Sequence, residues 1–280
     1  MKGHGMTPVK RAKDEGTRYD FGGNWARFAE TLDDGTIEQA IGNLDRLLPG
    51  LEGGSFLDIG CGSGLHSLAA VKLGASKVHA FDLDAVSVET TRMVLNRFAP
   101  GAEWDVEVKD MLASTPQQIG LFDTVYSWGV LHHTGRMWEA IERAAKFVAP
   151  GGRLALALYL KTRFCALWRL EKAFYSRHKG IRPLLLGLFG SANLARQTLG
   201  GKNPVAYVRN YKRKRGMSFW RDIDDWLGGY PYDSVEPAAL VAFIEQRGFA
   251  LERSFDTAPP FGLFGSGCGE WVFRRGSSAR

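Results

Sequence analysis

The sequence is poor in cysteine. Its 280 residues include three cysteines, Cys61, Cys165 and Cys268, an odd number with no close spacing. This argues against a disulfide framework or a C-x-x-C zinc site, and it favours free thiols in a reducing cytoplasm. H-E-x-x-H and G-x-S-x-G are absent as well, so the sequence predicts neither a metal site nor a serine nucleophile.

Long apolar runs are also lacking. The stretch Pro183–Phe189 is far shorter than the roughly 20 residues that a membrane-spanning helix needs. The first 16 residues contain no apolar core, so no secretory signal is expected. With 45% hydrophobic and 24% charged residues, the composition is that of a folded domain and argues against disorder, collagen or coiled coil.

Acidic residues are scarce in one segment. Residues 161–220 contain fourteen Lys and Arg against one acid, Glu171, which gives a net charge of +13, whereas the rest of the chain carries −7. Such a segment attracts anions, including phosphate, a carboxylated substrate, RNA or acidic lipid. The alternative is a helical excursion whose basic outer face is merely solvated.

The order of predicted elements indicates an α/β fold. After two helices between Phe21 and Leu48, strands alternate with helices, which is typical of a mostly parallel, doubly wound seven-stranded sheet. The alternation stops at Lys161 and resumes at Glu236. We therefore expect an N-terminal tail and helical cap (1–50), a Rossmann-like core (51–160), a basic helical insertion over the substrate site (161–235) and a C-terminal completion of the sheet (236–280). The predicted strands are Ser55–Ile59, Lys77–Phe81, Glu103–Val108, Phe122–Ser127, Arg153–Leu160 after a turn at 150–152, Ala250–Phe255 and Gly269–Arg274.

A glycine-rich loop follows the first predicted strand. Gly60, Gly62 and Gly64 alternate with other residues, and a helix begins at once, so backbone N–H groups can approach a ligand closely. The dinucleotide fingerprint fails because Leu65 stands where its third glycine would fall, which argues against a nicotinamide dehydrogenase. An acid, Asp58, lies two residues before the first glycine.

Further acids end the next two strands. Asp82 is placed to accept hydrogen bonds from ribose hydroxyls, and Asp110 ends the third strand. Together with the loop and with Ala149–Gly152, these residues resemble the ordered motifs of the class I S-adenosylmethionine-dependent methyltransferases. The resemblance implies a methyltransferase of the EC 2.1.1 type with S-adenosyl-L-methionine as cofactor. The cofactor-binding residues that it implies are Asp58, Gly60, Cys61, Gly62, Gly64, Asp82, Leu83, Asp110, Met111, Ser127 and Trp128.

Two histidines follow the fourth strand. His132 and His133 lie at the carboxyl edge of the predicted sheet, where ligands bind in doubly wound folds. If the acceptor is a hydroxyl, either imidazole could serve as the general base. The alternative is that a histidine only bonds the loop backbone.

The insertion contains a stretch, Arg215–Pro231, that resembles bacterial methyltransferases of the quinone-biosynthesis or type 11 group. Its aromatic residues form either an acceptor pocket wall or a small core, and Trp25 belongs to a helical cap that either lines the cofactor or packs as core. The candidate substrate residues are Trp25, Trp220, Trp226, Tyr230 and Tyr232.

The leading hypothesis is methylation of a small molecule, most readily at oxygen, with N- or C-methylation as alternatives. A second hypothesis is RNA modification, since the segment after strand four also resembles tRNA wobble-uridine enzymes and the basic insertion could follow phosphates. Peripheral membrane contact stays open, and the sequence does not determine the oligomeric state. A cofactor-binding protein without catalysis is disfavoured by the intact motifs.

Overall fold

The computed structural model describes residues 21–30, 32–215, 218–256 and 267–277. These residues form a seven-stranded sheet in the order β3-β2-β1-β4-β5-β7-β6. Strand β7 runs antiparallel to both of its neighbours, and the other pairings are parallel. The strands are β1 (Ser55–Ile59), β2 (Lys77–Asp82), β3 (Trp104–Val108), β4 (Phe122–Trp128), β5 (Val148–Tyr159), β6 (Phe249–Asp256) and β7 (Cys268–Arg275).

Eleven α-helices lie in the described residues. The first four cover one face of the sheet, and the fifth, sixth and eleventh cover the other. The helices are α1 (Phe21–Ala29), α2 (Asp34–Leu47), α3 (Leu65–Lys72), α4 (Ala85–Phe98), α5 (Pro116–Ile119), α6 (Met137–Lys146), α7 (Cys165–Arg177), α8 (Arg182–Leu199), α9 (Pro204–Arg215), α10 (Phe219–Gly228) and α11 (Pro237–Glu245). The predicted α/β fold class is confirmed.

The central strands are buried on both faces. In β1, Phe56 packs toward α2 and α3, while Leu57 and Ile59 pack toward α6 and α11. This explains why these strands consist of nearly continuous apolar residues rather than an alternating pattern.

Helices α7 to α10 form an excursion from the carboxyl end of β5. The backbone N–H of Val235 donates to the carbonyl of Tyr159 at 2.8 Å, and that of Lys161 donates to the carbonyl of Val235 at 2.9 Å. The excursion therefore leaves and re-enters the sheet at one point. It has a small apolar core of its own, built on Tyr175, Phe219, Ile223 and Leu227.

One predicted strand boundary differs from the structure by more than one residue. Strand β5 begins at Val148 and continues through Pro150, Gly151 and Gly152, which were expected to form a turn before the strand. The reason is that β4 pairs with β5 on both sides of an irregularity, with Phe122 opposite Val148 and Thr124 opposite Arg153.

Gly152 is required at this irregularity. A Cβ atom there would lie 2.8 Å from the carbonyl oxygen of Asp123 and 2.9 Å from that of Ala149. Because backbone atoms cannot move aside cheaply, we expect Gly152→Ala to lower the free energy of unfolding by about 1–3 kcal/mol in urea denaturation. Gly101→Ala is the matched control, since nothing lies within 4 Å of its Cβ position. Equal free energies of unfolding for the two variants would contradict this explanation of the irregularity between β4 and β5.

Candidate cofactor and acceptor site

The order of strands reverses between β1 and β4, and the loops after these two strands meet at their carboxyl ends. The Cβ position of Gly60 lies 2.5 Å from the side chain of Val130, so any side chain at Gly60 would collide with the β4 loop. The hydroxyl of Ser127 donates to the carbonyl of Ile59 at 3.0 Å and joins the two strands below this contact. In open α/β sheets such a switch point is where ligands bind.

The loop after β1 is shaped by its glycines. Gly60, Gly62 and Gly64 all have positive φ angles, of 80°, 53° and 74°. The Cβ position of Gly62 lies 3.2 Å from the indole nitrogen of Trp25, and that of Gly64 lies 2.8 Å from the Cα atom of Thr91. Both conformation and space therefore require glycine, and helix α1 lies against the loop through Trp25.

Asp82 connects this loop to the end of β2. One carboxylate oxygen accepts from the backbone N–H of Gly62 at 3.1 Å, and the other accepts from that of Asp84 at 3.0 Å. Burial raises the pKa of Asp82, and these two backbone hydrogen bonds oppose the shift. Each oxygen keeps acceptor capacity for a further donor, such as a ribose hydroxyl.

Asp58 is a buried carboxyl behind the loop. It accepts a hydrogen bond from the Ser67 hydroxyl at 2.6 Å. Burial raises its pKa to about 7, with the Ser67 bond opposing that shift and the nearby Asp82 charge adding to it. A cationic group at the loop would favour the ionised form of Asp58, as the amino group of a methionine moiety would.

The remaining predicted cofactor residues are placed unequally. Leu83 lies half exposed beside Asp82, and Asp110 accepts from the backbone N–H of Leu112 at 2.8 Å in a turn after β3. Met111 is buried in the core on the α6 face. Cys61 is buried, and burial raises the pKa of its thiol well above the usual value.

Trp128 adopts an orientation that the sequence did not indicate. Its indole N–H donates to the carboxylate of Glu270 at 2.8 Å. The Glu270 carboxylate also forms an ion pair with Arg46 at 2.5 Å. Glu270 belongs to β7, the antiparallel strand, so its approach to β4 was invisible in the local pattern.

The two candidate histidines lie in a short 3₁₀ helix, Leu131–His133, and differ in accessibility. His132 is fully buried, with its ring 4.1 Å from that of Tyr159, and neither ring nitrogen finds a hydrogen-bond partner in the described residues. Burial, followed by the neighbouring His133 and Lys172 charges, lowers its pKa well below the usual value. His133 is part-buried, and its Nδ1 lies 2.7 Å from the carbonyl oxygen of Pro231.

A buried polar group faces these histidines from the insertion. Lys172 is fully buried; its ammonium donates to the carbonyl of Trp226, lies 3.8 Å from that indole ring and 5.5 Å from the ring of Tyr232. Burial lowers the pKa of Lys172 and raises that of the adjacent Glu171. In the described part of the chain, both carboxylate oxygens of Glu171 and the indole nitrogen of Trp168 are buried without a hydrogen-bond partner.

The candidate substrate residues fall into separate places. Tyr232 lies 5.5 Å from Tyr159, between ring centroids, and Trp226 lies over Lys172, so these two line the region facing the histidines. Tyr230 immediately precedes Pro231, whose carbonyl oxygen contacts His133 Nδ1. Trp220 packs against Gly190 of α8 and Trp25 against the cofactor loop, away from this cluster. The residues Arg18, Tyr19, Asp20, Gly216 and Met217 lie outside the described residues.

Sequence reasoning missed Tyr159, Lys172 and Glu270. Tyr159 ends β5 at the same carboxyl edge as the other site residues, and that position was the available signal. Lys172 is one of the fourteen basic residues of the segment 161–220, which was expected either to attract anions or to form a solvated outer face, and its full burial corrects both expectations for this residue. It is buried because α10 packs on α7 and supplies a carbonyl and an aromatic face.

Among the residues that the structure describes, one group of potential metal ligands lies elsewhere on the sheet. His79 contacts Asp105 at 3.2 Å and Glu107 at 3.1 Å, and Lys109 pairs with Glu107 at 2.5 Å. The ligand atoms already serve one another in an ion-pair network on β2 and β3, and we assign no metal to it.

Comparison with known proteins agrees with this geometry. Residues 57–154 match the model of a family described as a methyltransferase domain. This match places residues 57–154 in the class I S-adenosylmethionine-dependent methyltransferase family. The predicted class of enzyme and the predicted cofactor, S-adenosyl-L-methionine, are confirmed at the level of this family.

Among curated relatives, the ubiquinone biosynthesis O-methyltransferase of Xanthomonas euvesicatoria is 35% identical over 112 residues, which are 40% of this chain and 46% of that protein. The tRNA U34 carboxymethyltransferase of Methylococcus capsulatus is 32% identical over 114 residues, 40% of this chain and 34% of that protein. The chain thus matches less than half the length of either of these curated relatives. The magnesium protoporphyrin IX methyltransferase of Synechocystis, solved with bound S-adenosylhomocysteine, has the same fold at 18% identity, with a TM-score of 0.51 over 92% of this chain and 89% of that one.

The residues present fit the family's cofactor. The glycine loop leaves room for close backbone approach, Asp82 and Asp110 offer carboxylates at adjacent strand ends, and Asp58 offers a third behind the loop. Tests of these individual roles follow from the geometry.

We expect Asp82→Asn to weaken binding of S-adenosylmethionine and S-adenosylhomocysteine by about tenfold to a hundredfold, because hydrogen bonds to a charged acceptor contribute about 1.5–3 kcal/mol. Isothermal titration calorimetry measures the dissociation constants, and Asp45→Asn, at an exposed position on α2, is the matched control. An unchanged dissociation constant in a folded Asp82→Asn protein would remove the ribose assignment.

Proposed function

We propose that this protein transfers a methyl group from S-adenosylmethionine to an oxygen atom of a small aromatic acceptor, with His133 as general base. The observation that carries the proposal is the contact between His133 Nδ1 and the carbonyl oxygen of Pro231. A carbonyl can only accept, so Nδ1 must carry the proton, and the basic lone pair of the ring is then on Nε2.

The position of His133 supports this role. It follows Val130 by three residues, and Val130 contacts Gly60 in the cofactor loop. Gly229 of the insertion lies close to the His133 ring, since a Cβ atom at Gly229 would be 2.7 Å from His133 Cε1. The imidazole therefore stands between the cofactor loop and the insertion, where an acceptor must lie to meet the methyl donor.

The surroundings of His133 favour an aromatic acceptor. The ring of Tyr159 lies 5.5 Å from that of His133, and Tyr232 lies against Tyr159. Lys172 continues this cluster from the insertion, over the rings of Trp226 and Tyr232. Pockets with apolar and aromatic walls and a few polar groups fit small organic ligands. The likeness to a protein named for O-methylation in ubiquinone biosynthesis supports oxygen as the acceptor atom.

The chemistry balances with these groups alone. S-adenosylmethionine, which the glycine loop and Asp82 would hold, would supply an electrophilic methyl group on a positively charged sulfur, and that sulfur would retain the electron pair of the S–CH₃ bond. His133 Nε2 takes the proton of the acceptor hydroxyl as the O–CH₃ bond forms. The protein otherwise aligns the two partners and excludes water, which the insertion does by covering the strand ends.

RNA modification is the second candidate, favoured by the +13 segment and by the likeness to a tRNA-modifying protein. We place the reaction in the cytoplasm, a setting supported by the three free thiols.

A screen with labelled cofactor tests the proposal. We expect methyl incorporation into catechols and hydroquinones as methyl ethers, which mass spectrometry identifies, and none into bulk tRNA. Incorporation into tRNA that falls steeply with salt would favour the second candidate, because phosphate contacts are salt-dependent. Methylation of nitrogen or carbon alone would contradict the proposed role of a hydroxyl base.

We expect His133→Ala to lower kcat about a hundredfold or more, the usual contribution of a general base, and to leave cofactor affinity unchanged. His178→Ala is the matched control, because His178 also contacts a backbone carbonyl through Nδ1, at 2.9 Å, but is exposed at the end of α7. Undiminished turnover in His133→Ala would make this histidine a purely structural residue.

A further inference from the structure

The insertion exposes large apolar side chains on two neighbouring helices. Leu170 on α7 is 69% exposed and Leu184 on α8 is 73% exposed. They belong to a set that we call the outer leucine face, whose members are Leu167, Leu170, Phe174, Leu184, Leu188 and Leu199. Exposed apolar groups gathered in this way mark interaction sites more often than single exposed residues do.

The helical spacing explains why this face is turned outward. On α7, Leu167, Leu170 and Phe174 recur at i, i+3 and i+7, which places them on one side of the helix. The opposite side of α7 buries Lys172, Tyr175 and Ser176.

Helix α8 repeats the arrangement. Its Gly190 and Asn193 are buried, and the Cβ position of Gly190 lies against the Trp220 ring of α10, while Leu184 and Leu188 stand one turn apart on the other side. The packing of α7 and α8 therefore does not need the outer leucine face.

Exposed basic residues flank the α7 part of this face along the chain. Arg163 precedes Leu167 by four residues, and Arg177 and Lys179 follow Phe174; all three are exposed. The segment 161–220 carries +13, and its one acid, Glu171, has buried carboxylate oxygens beside Lys172. The long stems of Arg and Lys can lie along an apolar surface while their charged ends reach phosphate groups.

Within the residues that the structure describes, none of the helices combines the length and apolarity that crossing a bilayer requires. A helix that pairs an apolar stripe with Lys and Arg lies instead in the plane of the membrane interface, and anionic lipid strengthens its binding. A second copy of this chain is disfavoured as the occupant, because two copies of a segment with a net charge of +13 would repel each other. RNA would use the charge but leave the leucines unexplained.

We propose that the outer leucine face docks on a bilayer surface rich in anionic phospholipid. The apolar side chains enter the interface, and the basic residues beside them pair with lipid phosphates. This inference concerns binding alone, so it stands whether or not the proposed methyl transfer does.

Vesicle flotation tests the proposal with the full chain. We expect binding to phosphatidylcholine vesicles that contain one third phosphatidylglycerol, and at least about tenfold weaker binding to phosphatidylcholine alone, because each basic residue near an anionic surface adds attraction. The double variant Leu184→Ser/Leu188→Ser should weaken binding to the anionic vesicles about tenfold or more, since it removes two leucines from the interface without changing charge.

Leu121→Ser is the matched control, because Leu121 is equally apolar and 50% exposed but lies just before β4, at the opposite edge of the sheet. It should bind vesicles as the unchanged protein does. All the substituted positions are exposed, and circular dichroism verifies that each variant folds.

Two results would overturn the proposal. The first is binding to anionic vesicles that the double leucine variant retains in full, since the attraction would then be electrostatic alone. The second is binding to tRNA, but not to vesicles, at the same salt concentration, which would make the basic segment an RNA surface.

Discussion

The whole site depends on the backbone conformation of the loop between Gly60 and Gly64. Three positive φ angles turn the chain sharply at the end of β1, and three neighbours, Val130, Trp25 and Thr91, occupy the space that side chains would need. The same turn directs the Gly62 N–H to Asp82. One short loop thereby fixes the β4 loop, helix α1, helix α4 and the acid of β2 relative to one another. It brings the predicted cofactor residues close to the β4 loop that leads to His133.

The second constraint is the polar group buried between the sheet and the insertion. Lys172 is held by a carbonyl and an aromatic ring, whereas His132, Glu171 and Trp168 have buried polar atoms without partners in the described residues. Burying such groups unpaired costs free energy, and folded proteins keep this arrangement mainly where a ligand or water can satisfy it. The location of the group, beside His133 and the aromatic residues of the insertion, is consistent with the proposed acceptor pocket.

Much of the fold could be predicted because local signals coincide with global ones. Strand β1 begins and ends at the predicted residues, and helix α3 follows the glycine loop at once as predicted, since a buried apolar run, a glycine loop and a helical pattern follow one another there. Strand β5 was misjudged, because Pro150–Gly152 has the composition of a turn and β4 pairing holds it in the sheet. The family resemblance implies Met111 and Ser127 as cofactor-binding residues, which stays a prediction. The structure adds that Met111 packs in the core and that the Ser127 hydroxyl donates to the carbonyl of Ile59 in β1.

Residue patterns along the chain were sufficient to predict the sheet class, the family resemblance and the order of acids at the strand ends, because parallel strands place their carboxyl ends at one edge whatever the remaining contacts are. Tertiary structure was needed for every feature that depends on contacts between segments far apart in the sequence. It turned the indole N–H of Trp128 toward Glu270 of an antiparallel strand, buried Lys172 under α10, and assigned the basic lone pair of His133 to Nε2 through a carbonyl 98 residues away. Those outcomes rest on hydrogen-bond partners that no local periodicity encodes.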